Sequence, residues 1–267
     1  MLLAFPGSVF YKKIFVILIA LFALGLPNQA QTSLVKDISI SKNKYNVHSW
    51  TGSINSKIPV FMWLIRKDSL IQGEVVYTKT KNKIPIKLIG QIDREGKIKV
   101  GEYLTDGTIS GIFYFDNMNV SPAGKWSSTQ NFKEVDFKLS PKDTLLPDID
   151  TSFQPKAITG DYAYMYGKDG YQGGISIRKV DSNKVSFEIG SVTDAPARNS
   201  AEISLDTVSL TNNTFVYKLR KSKDCSFKVT FYKHFLVISY LKGYGDCGNF
   251  FGLDATVDGI FYKLPNK

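Results

Sequence analysis

A chain of 267 residues, 43% hydrophobic and 13% aromatic, holds enough apolar material for one large or two ordinary cores, which excludes global disorder. The formal net charge is +10, or +8 without Lys12 and Lys13, and the excess is uneven, with 17 basic and 11 acidic side chains over 31–146 but 15 and 13 over 147–267. Most are single lysines spaced along the chain, with no basic stripe, so nucleic acid is not an expected partner and a solvated, edge-protecting lysine face is the better reading.

The chain opens as a targeting signal. Lys12 and Lys13 precede the apolar run Ile14–Leu26, Pro27 ends it, and cleavage is expected after Ala30. A run of thirteen residues is short for a membrane span, which needs about 20. The expectation is therefore a signal peptide over 1–30, no stable span after cleavage, and a periplasmic or secreted product. A retained leader is the alternative. Residues 31–43 form a polar lead-in.

From Lys44 onward no segment keeps a 3.6-residue apolar period over three turns, whereas alternating, β-branched and aromatic segments recur throughout. Strands are expected over 45–51, 57–66, 70–80, 84–93, 97–104, 108–115, 124–127 and 132–139. Lys67-Asp68-Ser69, Glu95-Gly96 and Asp106-Gly107 make turns between them, the last a strong hairpin signal. Pro59 and Pro85 belong at strand starts or edges, where a missing N–H is harmless. Residues 141–156 carry Pro141, Pro147 and Pro155 among Asp143, Asp148 and Asp150, the composition of a linker. A second set follows over 157–166, 174–181, 184–192, 200–205, 214–221, 225–232, 235–241 and 256–264. The fold class is all-β: two tandem small antiparallel β-barrel or closed β-sandwich domains, 44–140 and 157–267.

The last forty or so residues are the most patterned. Cys225, Phe227, Val229 and Phe231 alternate with Ser226, Lys228, Thr230 and Tyr232, and Phe235–Leu241 reads as a strand buried on both faces. After export, the two cysteines are expected to pair, since an oxidising compartment favours the bridge. A Cys225–Cys247 link closes a loop of 23 residues, for which chain entropy gives roughly 3 kcal/mol. No metal or other cofactor is expected, because only His48 and His234 could join the cysteines and neither sits at ligand spacing.

A glycine inside a β-branched and aromatic run recurs at Ile71-Gln72-Gly73, Ile109-Ser110-Gly111, Ile158-Thr159-Gly160 and Val257-Asp258-Gly259. Glycine weakens a strand unless it bends it or admits a neighbouring aromatic over the missing side chain, and both serve barrel closure.

Catalytic constellations are lacking. There is no Gly-x-Ser-x-Gly elbow, His-Glu-x-x-His helix or phosphate loop. Asp93 with Glu95, Glu102 with Asp106, and Asp254 with Asp258 supply paired carboxylates of the kind that cleave glycosidic bonds, but each pair lies near a turn and reads as solvated surface. Asp246, Asp254 and Asp258 match no calcium-loop spacing. Two stretches suit binding better. Tyr162, Tyr164 and Tyr166 share one strand face and, with Tyr171, flank the Lys168-Asp169-Gly170 turn, a stacking platform for sugar or peptide. Thr193–Asn199 is a short, proline-stiffened loop presenting Arg198, the form of a protruding contact loop. Barrel wall and ordinary loop are the plainer readings of the two.

Ile158-Thr159-Gly160-Asp161-Tyr162, Ala195-Pro196-Ala197-Arg198, Cys225 with Cys247-Gly248, and Asp258-Gly259-Ile260-Phe261 resemble a group of uncharacterised secreted bacterial two-domain β proteins. The first half is similar to their other half through Gly73-Glu74-Val75-Val76-Tyr77, Ile84–Gly90 and Gly124-Lys125-Trp126. The resemblance implies architecture and carries no activity. A more distant similarity is to the periplasmic lysozyme inhibitors, small exported β-barrels with one disulfide, although their Ser-Gly-rich inhibitory loop has no counterpart here. Gly124-Lys125-Trp126 is similar to the Gly-x-Trp of lipocalins, but theirs opens the first strand and this one falls late. The functional expectation is an exported, non-catalytic binding protein whose partner is an envelope glycan, peptide or protein, with Tyr162, Tyr164, Tyr166, Tyr171 and Arg198 as candidate contacts. Inhibition of a secreted hydrolase is the alternative, and a carboxylate-based hydrolase the weaker one.

Overall fold

Sixteen strands and one 3₁₀ turn, Gly248–Phe250, make up the secondary structure of the computed structural model, which describes residues 47–118, 121–142, 152–220, 222, 224–242 and 247–265. The expected signal peptide and lead-in, and residues 143–151 of the expected linker, lie outside the described residues. The described residues all fall within one compact unit, Tyr45–Lys267. The all-β expectation holds, and each expected strand is present.

The first eight strands are β1 (His48–Ile54), β2 (Ile58–Lys67), β3 (Leu70–Tyr77), β4 (Ile86–Ile92), β5 (Ile98–Tyr103), β6 (Ile109–Phe115), β7 (Ala123–Ser128) and β8 (Glu134–Pro141). Each pairs antiparallel with the next, and β1 pairs with β8, so the meander closes into a barrel without a free edge. Period-2 alternation sends Ile71, Val75, Ile98, Val100, Phe113, Phe137 and Leu139 inward with Trp50 and Met62. Phe113 and Phe137 meet edge to face at 5.1 Å between ring centres. Pro59 is the second residue of β2 and Pro85 immediately precedes β4. Gly111 lies under the Trp126 indole: a Cβ there would come within 2.5 Å of the ring, so the missing side chain admits the aromatic.

One expectation for this barrel is corrected. Glu102 does not lie on a solvated surface but is 1% exposed inside the barrel. Ile98, Val100 and Glu102 occupy alternate positions of β5, so the strand that buries the first two also buries the third. A register shift between Gly101 and Tyr103 leaves Glu102 facing a bulge in β6. There Tyr77 Oη donates to Glu102 Oε1 at 2.5 Å and Ser110 Oγ donates to Oε2 at 3.1 Å. The Trp126 indole N–H faces the same carboxyl without closing a hydrogen bond of normal geometry. Burial raises the Glu102 pKa, and these donors only partly offset it.

The second set is β9 (Gly160–Met165), β10 (Gln172–Lys179), β11 (Lys184–Val192), β12 (Ser200–Ser209), β13 (Thr214–Lys218), β14 (Ser226–Phe231), β15 (Phe235–Tyr240) and β16 (Gly259–Lys263). Its order, β12-β11-β10-β9-β16-β15-β14-β13, is the same cyclic meander with the opening moved between β12 and β13. Asp206 of β12 spans that opening, accepting from Tyr217 Oη at 3.0 Å and Arg220 Nη2 at 2.8 Å. Cys225, Phe227, Val229 and Phe231 are fully buried, as are Phe235, Leu236 and Ile238 on both faces of β15. The expected disulfide is present, with Cys225 and Cys247 Cα atoms 4.7 Å apart.

The two β units pack against each other. Trp63, Ile65, Leu70, Ile89, Tyr103, Ile109 and Ile112 on the outer face of the first barrel join the apolar cluster of the second sheet. Tyr103 stacks on Tyr262 at 5.8 Å and donates to the Ile260 carbonyl at 3.3 Å. The Asp106-Gly107 hairpin docks on β9, where the Met165 N–H donates to Gly107 O at 3.1 Å. Gly107 has φ +86°, and a Cβ would sit 3.1 Å from that of Ala163, so both the turn and the docking require glycine. The end of the expected linker is packed as well: Phe153 is buried edge-on against Tyr232, and Ser152 O accepts from Gln72 Nε2 at 3.4 Å.

Candidate functional site between the two β units

The outer faces of β5 and β6 meet the ends of β9 and β16 along a cleft of two adjoining hollows, about 770 and 650 Å³. They share Lys99, Ile112, Tyr114, Tyr166, Gly259 and Ile260. The second hollow adds Phe132, Tyr164, Tyr171, Asp169, Asp194 and Asp258. All four wall strands are hydrogen-bonded on both sides. β9 and β16 pair with each other only at Ala163 with Tyr262 and Tyr162 with Lys263, away from the cleft residues Tyr164, Gly259 and Ile260.

The aromatic groups are graded in burial. Tyr162 and Tyr164 occupy alternate positions of β9 and Tyr166 follows its end, but Tyr162 is 1% exposed and donates its hydroxyl to the Ile158 carbonyl at 2.7 Å, which makes it a core residue of the second sheet. Tyr164 is buried against Phe261, edge to face at 4.8 Å, and reaches the cleft from below. Tyr166 is half-buried, edge-on to Tyr164 at 5.9 Å, while Tyr171 and Tyr114 stand exposed on either side. Burial, first of all, raises the hydroxyl pKa of Tyr164 and Tyr166, so both remain phenols and act as neutral donors and acceptors.

The two loops singled out in the sequence come together. The Ala195 N–H donates to Asp169 O at 2.7 Å, and Arg198 Nη1 donates to the carbonyls of Gly170 at 3.1 Å and Thr193 at 3.3 Å. Arg198 thus ties its loop to the Lys168-Asp169-Gly170 turn, leaving Asp194 and Ala195 along the cleft. Ala195–Pro196 is a cis peptide bond. Below them Asp258 accepts from Thr256 Oγ1, which lies 3.0 Å from Tyr240 Oη.

Charge is unevenly satisfied. Lys97 pairs with Asp116 and Lys125 with Asp136, each at 2.8 Å. Lys99 makes no ion pair among the described residues. Its ammonium sits 5.7 Å from the centre of the Tyr166 ring and 6.0 Å from that of Tyr114. Burial lowers its pKa.

Lys99, Tyr114 and Phe132 were not legible as site residues. Lys99 and Tyr114 read as ordinary outward positions of alternating strands. Phe132, expected as the first residue of a strand over 132–139, lies instead in the turn that precedes β8. It is 80% exposed with φ +54°, a backbone region that bulky side chains avoid. The histidines lie elsewhere: His48 stacks on Trp50 at 5.6 Å and His234 is in the β14–β15 turn. No group of three or more His, Cys, Asp or Glu positioned to hold a metal ion occurs among the described residues, nor does any helix long and apolar enough to cross a membrane. No protein-family model, curated protein or solved structure matches the chain.

Proposed function

We propose that the chain is an exported, non-catalytic binding protein that holds a saccharide of the cell envelope in the cleft between its two β units. The observation that carries this reading is the lining itself, in which Tyr114, Tyr166, Tyr171 and Phe132 offer ring surface beside the carboxylates Asp169, Asp194 and Asp258. Sugar rings present apolar C–H faces that stack on aromatics and vicinal hydroxyls that donate to carboxylates, so one ligand uses both. A peptide captured by strand addition needs an open sheet edge, and each cleft-wall strand already has a strand neighbour on both sides. The disulfide and the apolar N-terminal run Ile14–Leu26 support export.

Titration of the full chain with envelope oligosaccharides, with the sugar pool analysed before and after by chromatography, tests the proposal. Saturable binding weakened about tenfold or more by Tyr166→Ala, with no new saccharide species, is the expected result. Shortened products would replace it with a hydrolase. Isolation of a stoichiometric secreted hydrolase, with no saccharide bound, would replace it with an inhibitor.

A further inference from the structure

We propose that the saccharide is acidic, and that Lys99 selects it by pairing with a carboxylate on the sugar, as in a uronic acid or a sugar carrying a lactyl ether. This rests on the saccharide reading of the cleft and names the class that the cleft prefers. Lys99 projects from β5 into the wall common to both hollows. Its neighbours along the first hollow, Lys97 and Lys125, are already matched by Asp116 and Asp136. Lys99 instead has the faces of Tyr114 and Tyr166 near its ammonium. Ring faces stabilise a cation without neutralising it, and leave its N–H donors open to an anion. The same two rings provide the stacking surface, so a sugar lying on Tyr166 brings a ring substituent to Lys99. The three aspartates lie in the second hollow only, whereas Lys99 belongs to both. The first hollow has carboxylates of its own, Asp93 and Asp116, but Asp116 is paired with Lys97 and Asp93 accepts from the Glu95 and Lys97 backbone N–H groups, while Lys99 stands where the two hollows meet.

Lys99 is exposed at the mouth of the cleft, so a charge-assisted hydrogen bond to its ammonium is taken at the low end, roughly 1.5 kcal/mol, or about tenfold in affinity. An arriving carboxylate also acts against the lowering of the Lys99 pKa by its surroundings, since it favours the charged form.

The test pairs an array of acidic oligosaccharides (galacturonic, glucuronic and muramic types) with their methyl esters, measured on the full chain and on Lys99→Gln by calorimetry. The expected result is that the best acidic member binds about tenfold tighter than its ester, that the advantage shrinks as salt is raised, and that Lys99→Gln brings the acid-to-ester ratio close to one. In parallel, NMR of the lysine side chains should show the Lys99 pKa rising when the acid binds and staying put with the ester. Equal binding of acids and esters, unaltered in ratio by Lys99→Gln, would overturn the selectivity while leaving the saccharide cleft standing. Failure of every member, acidic or esterified, would overturn both.

Discussion

Replacing Glu102 with glutamine tests the physics of the first barrel's interior. Glu102 is 1% exposed and receives hydrogen bonds from Tyr77 and Ser110. Burial is the main cause of its raised pKa. Because the native carboxyl keeps its proton to higher pH than the unfolded one, the folded state binds more protons over that interval. Stability therefore falls as pH rises from the ordinary carboxyl value of 4.5 through the raised native value. Glutamine is a neutral mimic of the protonated acid: its oxygen accepts from Tyr77 and its amide donates to Ser110 Oγ, whose hydroxyl turns to suit. Glu102→Gln should cost less than about 1 kcal/mol at pH 4, and become equal to or more stable than the parent at higher pH. Glu102→Ala should cost roughly 3 to 5 kcal/mol at pH 4, since it opens a cavity and leaves two partly buried hydroxyls without their acceptor. Its cost should shrink at higher pH by the same amount as that of glutamine, because neither variant carries the titrating carboxyl. Denaturant unfolding followed by tryptophan fluorescence from pH 4 to 9 measures all three proteins. The reasoning is refuted if the difference between parent and Glu102→Gln does not change with pH, or if glutamine costs as much as alanine throughout.

Phe132 should show opposed effects on stability and binding. Phe132→Gly relieves a φ of +54° and should leave the unfolding free energy unchanged or raised by up to about 1 kcal/mol, as thermal unfolding would read. It should also weaken saccharide binding severalfold by calorimetry. Removing the disulfide with Cys225→Ala and Cys247→Ala together should cost about 3 kcal/mol, or a fall in Tm of about 6 to 12 °C by calorimetric scan. Gly107→Val forces a β-branched residue to φ +86° and drives a side chain into Ala163. A cost of about 2 to 4 kcal/mol is expected, with faster hydrogen exchange at the Met165 amide, which donates to Gly107 O.

Most of the fold was legible because strands announce themselves in period 2. Cys225-Ser226-Phe227-Lys228-Val229-Thr230-Phe231 could take only one orientation, and Asp106-Gly107 could only turn. The recurrent glycines also had a readable cause, seen at Gly111 beneath Trp126. The position of the barrel opening was not legible. It lies between β12 and β13, where Asp206 with Tyr217 and Arg220 substitutes for backbone pairing, and side-chain bridges leave no periodic trace. Glu102 was misread because its turn-proximal neighbours, Asp106 and Gly107, outweighed the alternation with Ile98 and Val100. For the cleft, the tyrosine face and the Arg198 loop were visible as separate stretches, but not that Ala195 bonds to Asp169. Lys99, Tyr114 and Phe132 could not be chosen among similar outward residues, because their grouping depends on packing across the two β units.

The most direct measurement of where a ligand sits is an amide and aromatic NMR titration of the full chain with the tightest-binding oligosaccharide. Shifts concentrated at Lys99, Tyr114, Phe132, Tyr166, Tyr171 and Asp258, with Tyr162 and the Glu102 cluster unmoved, are the expected outcome. Saturable binding whose shifts gather instead at the β12–β13 opening, or inside the first barrel, would contradict the cleft as the binding site.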